Sequence, residues 1–124
     1  MPFNKTPNTS AKGDAAETRA EEFLQSQGLR TRSKNFRCKL GEIDLIMLHG
    51  DTLVFVEVRL RNNPRFTQAA ESVTWRKQQK IIRAAQVYLL QERLTDRVAC
   101  RFDVVALTQA TETAPEWIQN AFGC

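Results

Sequence analysis

The sequence lacks the features of a membrane-spanning or secreted protein. Its uninterrupted apolar runs reach only four residues, as at positions 53–56, whereas a membrane helix needs about 20. The first 25 residues contain no apolar segment of the kind found in signal peptides, so we expect no secretory signal. We therefore expect a cytoplasmic protein that does not bind membranes.

Cysteine and histidine are scarce as well. The three cysteines lie far apart, at positions 38, 100 and 124, and form no Cys-x-x-Cys pair. This spacing argues against a disulfide scaffold and against a zinc ribbon. Cys100 borders an apolar run and is expected to be a small core residue. The one histidine, His49, lies in a predicted turn, so a histidine-rich metal site is excluded.

The chain does contain enough apolar material for one folded domain. It has 124 residues, of which 42% are hydrophobic and 26% are charged, as is typical of a globular domain rather than a disordered chain. Residues 1–10 are polar and contain two prolines, so we expect a flexible arm there. A single domain is expected over residues 11–124.

Positive charge is concentrated in the middle of the sequence. The formal net charge is +4, but residues 30–83 carry 12 basic and 5 acidic side chains. Five of the basic residues fall within positions 30–39, with no acid among them. Such a segment suits a surface that faces phosphates. Lysine and arginine also protect the exposed edge of a sheet, and charge alone slightly favours that second interpretation.

Hydrophobic spacing predicts the element order α-β-β-β-α-β. The predicted elements are a helix capped by Ser10 and ending near Gln27, strands over 29–37, 42–48 and 52–60, a helix over about 72–93 and a strand over 101–107. Residues 62–71 are expected to form a loop, and the short segment 115–122 is ambiguous. The long helix before the last strand predicts a parallel crossover, so we expect an α/β (α+β) fold whose mixed sheet is flanked by helices.

Two acids on neighbouring strands are the main candidates for chemistry. Asp44 lies on the strand that enters a predicted hairpin, and Glu57 interrupts an apolar face of the returning strand. A carboxylate in such a strand needs a partner, because an unpaired buried charge is costly. The structural partner would be Arg59 or a helix cation; the functional partner would be a divalent metal shared with Asp44. Hard cations such as Mg²⁺ prefer oxygen ligands, although this acid spacing alone is a weak pattern.

Several sequence blocks occur together in the order of a known family. The most specific are Gly-Glu-Ile-Asp-Leu-Ile over residues 41–46 and Phe-Val-Glu-Val-Arg over residues 55–59. With the blocks around Glu17, Tyr88 and Asp103, they resemble the YraN family of small bacterial proteins over residues 10–122. That family is expected to have a restriction-endonuclease-like fold and to be related to archaeal Holliday-junction resolvases, which share the predicted element order.

The resemblance implies a nuclease that uses Mg²⁺ or Mn²⁺ to cleave DNA, with branched or repair intermediates as candidate substrates. Asp44 and Glu57 match the metal carboxylates, and Glu17 matches an acid that the resolvase-like branch brings to the metal. Arg59 stands where lysine is usual, and arginine cannot act as a base because it stays charged. It can still stabilise charge in the transition state. The dimeric resolvases imply a homodimer, for which the sequence specifies no interface.

Other residues keep two interpretations. Glu42 is an additional metal ligand or a surface acid, and Trp75 stacks on a base or, as is more usual near a helix start, packs inward. Asp103 is expected to pair with Arg101. The residues expected to contact nucleic acid, or otherwise to be solvated cations, are Arg37, Arg61, Arg76, Lys77 and Lys80. Two alternatives to a nuclease stay open: a non-catalytic nucleic-acid-binding protein that retains the fold, and a scaffold protein. The sequence does not distinguish DNA from RNA.

Overall fold

A five-stranded mixed sheet with one helix on each face forms the structure, which is a computed structural model. It describes residues 11–61, 73–108 and 113–123, so the predicted arm, the predicted loop at 62–71 and the predicted cap at Ser10 lie outside the described residues. The elements are helices α1 (Ala11–Ser26) and α2 (Trp75–Gln91) and strands β1 (Arg30–Cys38), β2 (Gly41–His49), β3 (Thr52–Arg61), β4 (Ala99–Thr108) and β5 (Glu116–Phe122).

The strands lie in chain order across the sheet, and one pair is parallel. Strands β1, β2 and β3 are antiparallel neighbours, and β5 is antiparallel to β4. The parallel pair β3 and β4 runs from Thr52 opposite Ala99 to Arg61 opposite Thr108, with α2 between them in the chain. The predicted α-β-β-β-α-β order and the mixed sheet are therefore confirmed.

The central strand β3 is apolar on both faces because a helix covers each face. Leu53 and Phe55 belong to the core layer under α2, whereas Val54 and Val56 belong to the layer under α1. Strands buried on both sides read as continuous apolar runs rather than as alternating patterns. This explains the continuous apolar run at positions 53–56 of β3, which Glu57, the next residue, interrupts.

Helix α1 packs on the sheet through two alanines and a leucine at helical spacing. Ala16, Ala20 and Leu24 are buried against the sheet, and the short alanine side chains allow a close approach. The helix is followed by Gly28, whose φ of 99° is in the left-handed region that glycine adopts without strain. The Leu29 N–H donates to the Leu24 carbonyl at 3.0 Å, which satisfies a carbonyl at the helix end.

Helix α2 packs closely against the start of β2. Its first turn is capped by Thr74, whose hydroxyl accepts from the Lys77 N–H at 3.2 Å. The buried residues of the helix are Ile81, Ile82, Ala84, Ala85 and Tyr88. A Cβ added at Gly41 would lie 2.6 Å from the Lys80 carbonyl oxygen. Only glycine allows this contact between the strand that carries Asp44 and the helix that carries Lys77.

The ambiguous segment near the carboxyl end forms the edge strand β5. Trp117 packs edge-to-face on Phe23 of α1, with ring centroids 6.1 Å apart. Its indole N–H also donates to the buried Asp103 carboxylate at 2.9 Å. The predicted pair of Asp103 with Arg101 is confirmed, with Nε 3.0 Å from Oδ1. Asp103 is therefore a structural acid whose charge is fully paired.

Two expectations about exposure are wrong. Cys100 is exposed because it lies in the first part of β4, before the buried stretch from Phe102 to Leu107. Trp75 is 71% exposed. At 100° per residue it lies on the side of α2 that carries the buried Ile82, but its place as the first helical residue leaves it uncovered. Within the described ranges, neither helix is long and apolar enough to cross a membrane.

Candidate active site

Asp44 and Glu57 meet where the β2–β3 ladder ends. The paired residues run from His49 opposite Thr52 to Leu45 opposite Val56, so the next position places Asp44 opposite Glu57. There a side-chain oxygen of Asp44 acts as the acceptor in place of a backbone carbonyl: its Oδ2 accepts from the Val58 N–H at 2.8 Å. Strand β3 stays paired with β4 beyond this point. The two acids are thus fixed by backbone geometry.

Two cations lie beside this pair, on the face of the sheet that α2 covers. Arg59 follows Glu57 on the same face of β3, and its Nη1 lies 3.4 Å from the Glu57 Oε2. Lys77 comes from the first turn of α2, and its Nζ lies 3.9 Å from the same oxygen. The Glu57 side chain is 5% exposed, whereas those of Arg59 and Lys77 are 37% and 38% exposed. Glu57 is therefore inside, Asp44 is partly buried, and the cations form a rim that solvent reaches.

The environment of the two acids favours their protonated forms. Burial, together with the negative charge of Asp44, raises the pKa of Glu57 from its ordinary 4.5 to about 8. Burial also raises the pKa of Asp44, although the hydrogen bond from the Val58 N–H opposes this effect. The like charges of the two acids disfavour joint ionisation, and Lys77 and Arg59 offset this effect only in part. At pH 7, below the pKa of about 8 for Glu57, we expect the pair to hold one proton.

The donor set fits a hard divalent cation. Both side chains offer carboxylate oxygens, and Mg²⁺ is commonly held by one or two carboxylates with water completing its coordination. A divalent cation would take the place of the shared proton and allow both acids to ionise. Among the described residues, no three His, Cys, Asp or Glu side chains form a group that could hold a metal. Asp44 and Glu57 are the two carboxylates that would hold such an ion.

The two remaining predicted acids differ in their relation to this pair. Glu42 is exposed on β2, and its charge contributes to the raised pKa of Asp44, which places it nearby. Glu17 belongs to α1, which packs on the opposite face of the sheet. It lines a small polar pocket with Asp14, Thr18, Glu21, Lys34, Asn35 and Leu45. The grouping of Glu17 with the acidic pair stays a prediction.

The cations predicted to contact nucleic acid fall into three settings. Arg37, Arg76 and Lys80 are exposed. Arg61 is only 13% exposed and pairs with Glu116 of β5 at 2.9 Å, so its guanidinium serves an internal contact. Lys77 lies at the acidic pair. The sequence showed Lys77 only as one cation of a basic helix, because its contact with Glu57 depends on how α2 packs on the sheet.

The cations of the basic cluster at positions 30–39 contact different helices. It lies on β1, the edge strand of the sheet, where cations protect against edge pairing. On the α2 side Arg32 donates to the Tyr88 hydroxyl at 2.8 Å and pairs with Glu92 at 3.0 Å. Lys34 instead pairs with Glu21 of α1 at 3.4 Å. The edge interpretation is therefore favoured for these two residues.

Comparison with known proteins finds one family. Residues 16–107 match the sequence profile of UPF0102, described as an uncharacterised protein family. A UPF0102 protein of Hahella chejuensis is 48% identical over 124 residues, covering 100% of this chain and 99% of that protein. One of Pseudomonas putida strain W619 is 50% identical, covering 94% and 95%. One of Nitrosospira multiformis is 50% identical, covering 90% and 92%.

Proposed function

The chain belongs to the UPF0102 family, and we propose that it is a divalent-metal-dependent nuclease that hydrolyses phosphodiester bonds in DNA. Family membership confirms the resemblance to the YraN family. The names of these relatives state no activity, so the proposal rests on the site. The observation that carries it is the pair of the buried Glu57 and the partly buried Asp44, with Arg59 and Lys77 on its rim.

The proposed mechanism divides the work between the acids and the cations. A bound Mg²⁺ or Mn²⁺ supplies a Lewis acid that polarises the phosphodiester and lowers the pKa of a water molecule. Asp44 would hold the ion with a carboxylate already oriented by the Val58 N–H. Glu57 would hold it once it has released its proton. Because the pair is buried next to the rim, the scissile phosphate must approach from the side of Arg59 and Lys77.

Arg59 and Lys77 would stabilise the negative charge that develops on the phosphorus-bound oxygens. Both already lie within 4 Å of a Glu57 oxygen, so they need little rearrangement to face a phosphate held at the same place. Preorganised cations of this kind contribute most in a site with restricted water. Arg59 keeps its charge at all relevant pH values. Its role is therefore electrostatic, and Lys77 supplies a second charge from the helix.

A DNA strand would be held by the exposed cations outside the site. Arg76 and Lys80 of α2 and Arg37 of β1 are solvent-exposed, as phosphate contacts require. Such contacts release counterions from the nucleic acid, so binding would weaken steeply with salt. The resolvase-like resemblance favours branched DNA and a homodimer, and RNA is the alternative polynucleotide.

A non-catalytic DNA-binding protein is the second candidate. The observation that favours it is Arg59, since an arginine cannot donate and accept a proton as the usual lysine can. This candidate retains the same surface cations and the same salt-dependent affinity. It differs from the first in having no metal-dependent turnover.

The test is cleavage of labelled single-stranded, duplex, flap and four-way-junction DNA, and of the matching RNA, with Mg²⁺ or Mn²⁺. The double variant Asp44→Asn/Glu57→Gln, purified identically, controls for contaminating nuclease. The asparagine oxygen can still accept from the Val58 N–H, so the fold is preserved better than by alanine. Glu92→Gln removes an exposed acid at the other end of α2 and is the matched control.

Cleavage by the wild type and by Glu92→Gln, but not by the double variant, supports the nuclease. Salt-dependent binding with no difference in cleavage between the wild type and the double variant refutes it and supports the second candidate. No binding to any polynucleotide refutes both.

A further inference from the structure

Trp75 is the largest apolar side chain that the described structure leaves in water. It is 71% exposed and is the first residue of α2. A single exposed apolar residue is ordinary on a protein surface. Leu90, near the other end of the same helix, is 72% exposed. Exposure alone therefore does not indicate a binding role for Trp75, and such a role depends on the residues around it.

Trp75 lies at the end of α2 that carries the candidate active site. Lys77, two residues further along, contacts Glu57. Two residues advance the helix by about 3 Å and rotate it by about 200°, so Trp75 and Lys77 leave the helix on different flanks of the same end. A strand with a phosphate beside Lys77 would have to pass over the start of α2 for one of its bases to reach Trp75.

The surface next to this end is cationic. Arg76, Lys80 and Arg83 are exposed at helical spacing and form a stripe about 10 Å long on α2. The turn that carries Lys39 approaches the same stripe, because Gly41 packs against the Lys80 backbone. None of the ion pairs between described residues involves these four cations. The charge complements a polyanion, and the indole ring complements the face of a base.

We propose that Trp75 stacks on an unpaired base of a DNA strand that crosses the amino-terminal end of α2. This inference rests on the proposed function and specifies its substrate class, namely DNA with unpaired bases beside the scissile phosphate. In a continuous duplex the faces of the bases are covered by their neighbours, so an indole ring finds no partner there. Stacking on aromatic side chains tolerates any base sequence, so the selection is for strand structure and not for sequence.

A second copy of this chain is the competing occupant of the Trp75 surface. A dimer would bury the indole ring, but it would also bring Arg76, Lys80 and their copies together. Like charges at a contact are unfavourable. The cations therefore favour the polyanion, and the oligomeric state of a Trp75 variant decides between the two.

The experiment measures affinity in metal-free buffer, where cleavage does not interfere. The probes are a single-stranded oligonucleotide, the same strand with abasic positions, the continuous duplex and a forked duplex. Trp75→Ala is compared with Trp75→Phe, which keeps an aromatic ring, and with Leu90→Ala, which removes an equally exposed side chain from the far end of α2. The fluorescence emission of Trp75 is obtained by subtracting the emission of Trp75→Phe from that of the wild type, since Trp117 is the only other tryptophan in the sequence.

We expect Trp75→Ala to weaken binding of the single strand and of the fork by about 5- to 150-fold, the range for loss of one stacked base. Trp75→Ala should change the affinity for the duplex and for the abasic strand less than twofold. Leu90→Ala should not change the affinity for any of the probes. Trp75 emission should be quenched by the single strand and not by the duplex.

Three results would overturn the inference. They are an equal loss of affinity for all probes in Trp75→Ala, no loss of affinity for any probe, and a change in the molar mass of the protein on substitution of Trp75. Because the readout needs no metal, quenching without cleavage would refute only the nuclease. Metal-dependent cleavage without selective loss in Trp75→Ala would refute only the stacking.

Discussion

Replacing Glu57 by glutamine should remove the pH dependence that this buried acid gives to the stability of the fold. The pKa of Glu57 is raised from 4.5 to about 8 by burial and by the charge of Asp44. Well below pH 4.5 the carboxyl group is protonated in both the folded and the unfolded chain, so there it does not make stability depend on pH. Between pH 4.5 and 8 the folded chain binds more protons than the unfolded chain, so the free energy of unfolding falls as the pH rises.

The size of this fall can be estimated from the same values. A rise in pKa from 4.5 to about 8 corresponds to a loss on the order of 5 kcal/mol by pH 8, most of it above pH 5. This is a large part of the 5–15 kcal/mol that stabilises a typical domain. Glu57→Gln keeps the shape of the side chain without its charge. Its free energy of unfolding should therefore exceed that of the wild type by a few kcal/mol at pH 8 and differ little at pH 5.

The assay is urea unfolding of both proteins in metal-free buffer from pH 5 to 8.5. Glu92→Gln, which removes an acid far from the pair, is the control and should not reproduce the change expected for Glu57→Gln. Saturating Mg²⁺ should flatten the wild-type slope, since a bound cation replaces the proton. Parallel profiles for the wild type and Glu57→Gln would refute the reasoning, because they would mean that the carboxylate is not destabilised by its surroundings.

Three further substitutions test other parts of the account. Asp103→Asn leaves the Arg101 guanidinium without its buried counter-charge and should cost about 3–5 kcal/mol in urea unfolding. Gly41→Ala places a methyl group 2.6 Å from the Lys80 carbonyl oxygen, which should cost about 1–3 kcal/mol and weaken Mn²⁺ binding by shifting β2. Arg59→Gln removes a cation from the site and should lower cleavage about 10²- to 10³-fold, whereas Arg59→Lys should retain most of it.

Each of these substitutions has a matched control and a result that would count against it. Glu92→Gln breaks the half-exposed pair of Glu92 with Arg32 and should cost less than about 1 kcal/mol; an equal cost for Asp103→Asn would show that its pairing adds nothing. Gly123→Ala meets no atom within 4 Å and should be neutral, so an equally neutral Gly41→Ala would contradict the close contact. Unchanged cleavage by Arg59→Gln would exclude the electrostatic role of this residue.

The sequence predicts most of the fold because the spacing of apolar residues identifies the core helices and strands. The apolar run of β3 and the helical spacing of apolar residues in α1 and α2 identify these elements, and Gly28 follows the end of α1. The sequence leaves the segment of β5 ambiguous, and the pairing of β5 with β4 is interrupted by an irregularity between Phe102 and Val104. Its side chains consequently do not follow a simple alternation.

The candidate site is only partly visible in the sequence. Adjacent strands and a short turn are enough to bring Asp44 opposite Glu57, since hairpin register follows from local chain geometry. The contact of Lys77 with Glu57 joins residues 20 positions apart through helix packing, and no local pattern encodes it. The exposure of Trp75 is likewise hidden, because the helical period places it beside buried positions and only the helix end leaves it uncovered.

Mn²⁺ binding measured by calorimetry in two buffers of different ionisation enthalpy tests the central claim most directly. At pH 7, below the pKa of about 8 for Glu57, the account predicts one ion per chain and release of about one proton on binding. Both should be lost in Asp44→Asn/Glu57→Gln and kept in Glu92→Gln. Absence of saturable binding, or binding that is unchanged in the double variant, would contradict a metal site at Asp44 and Glu57.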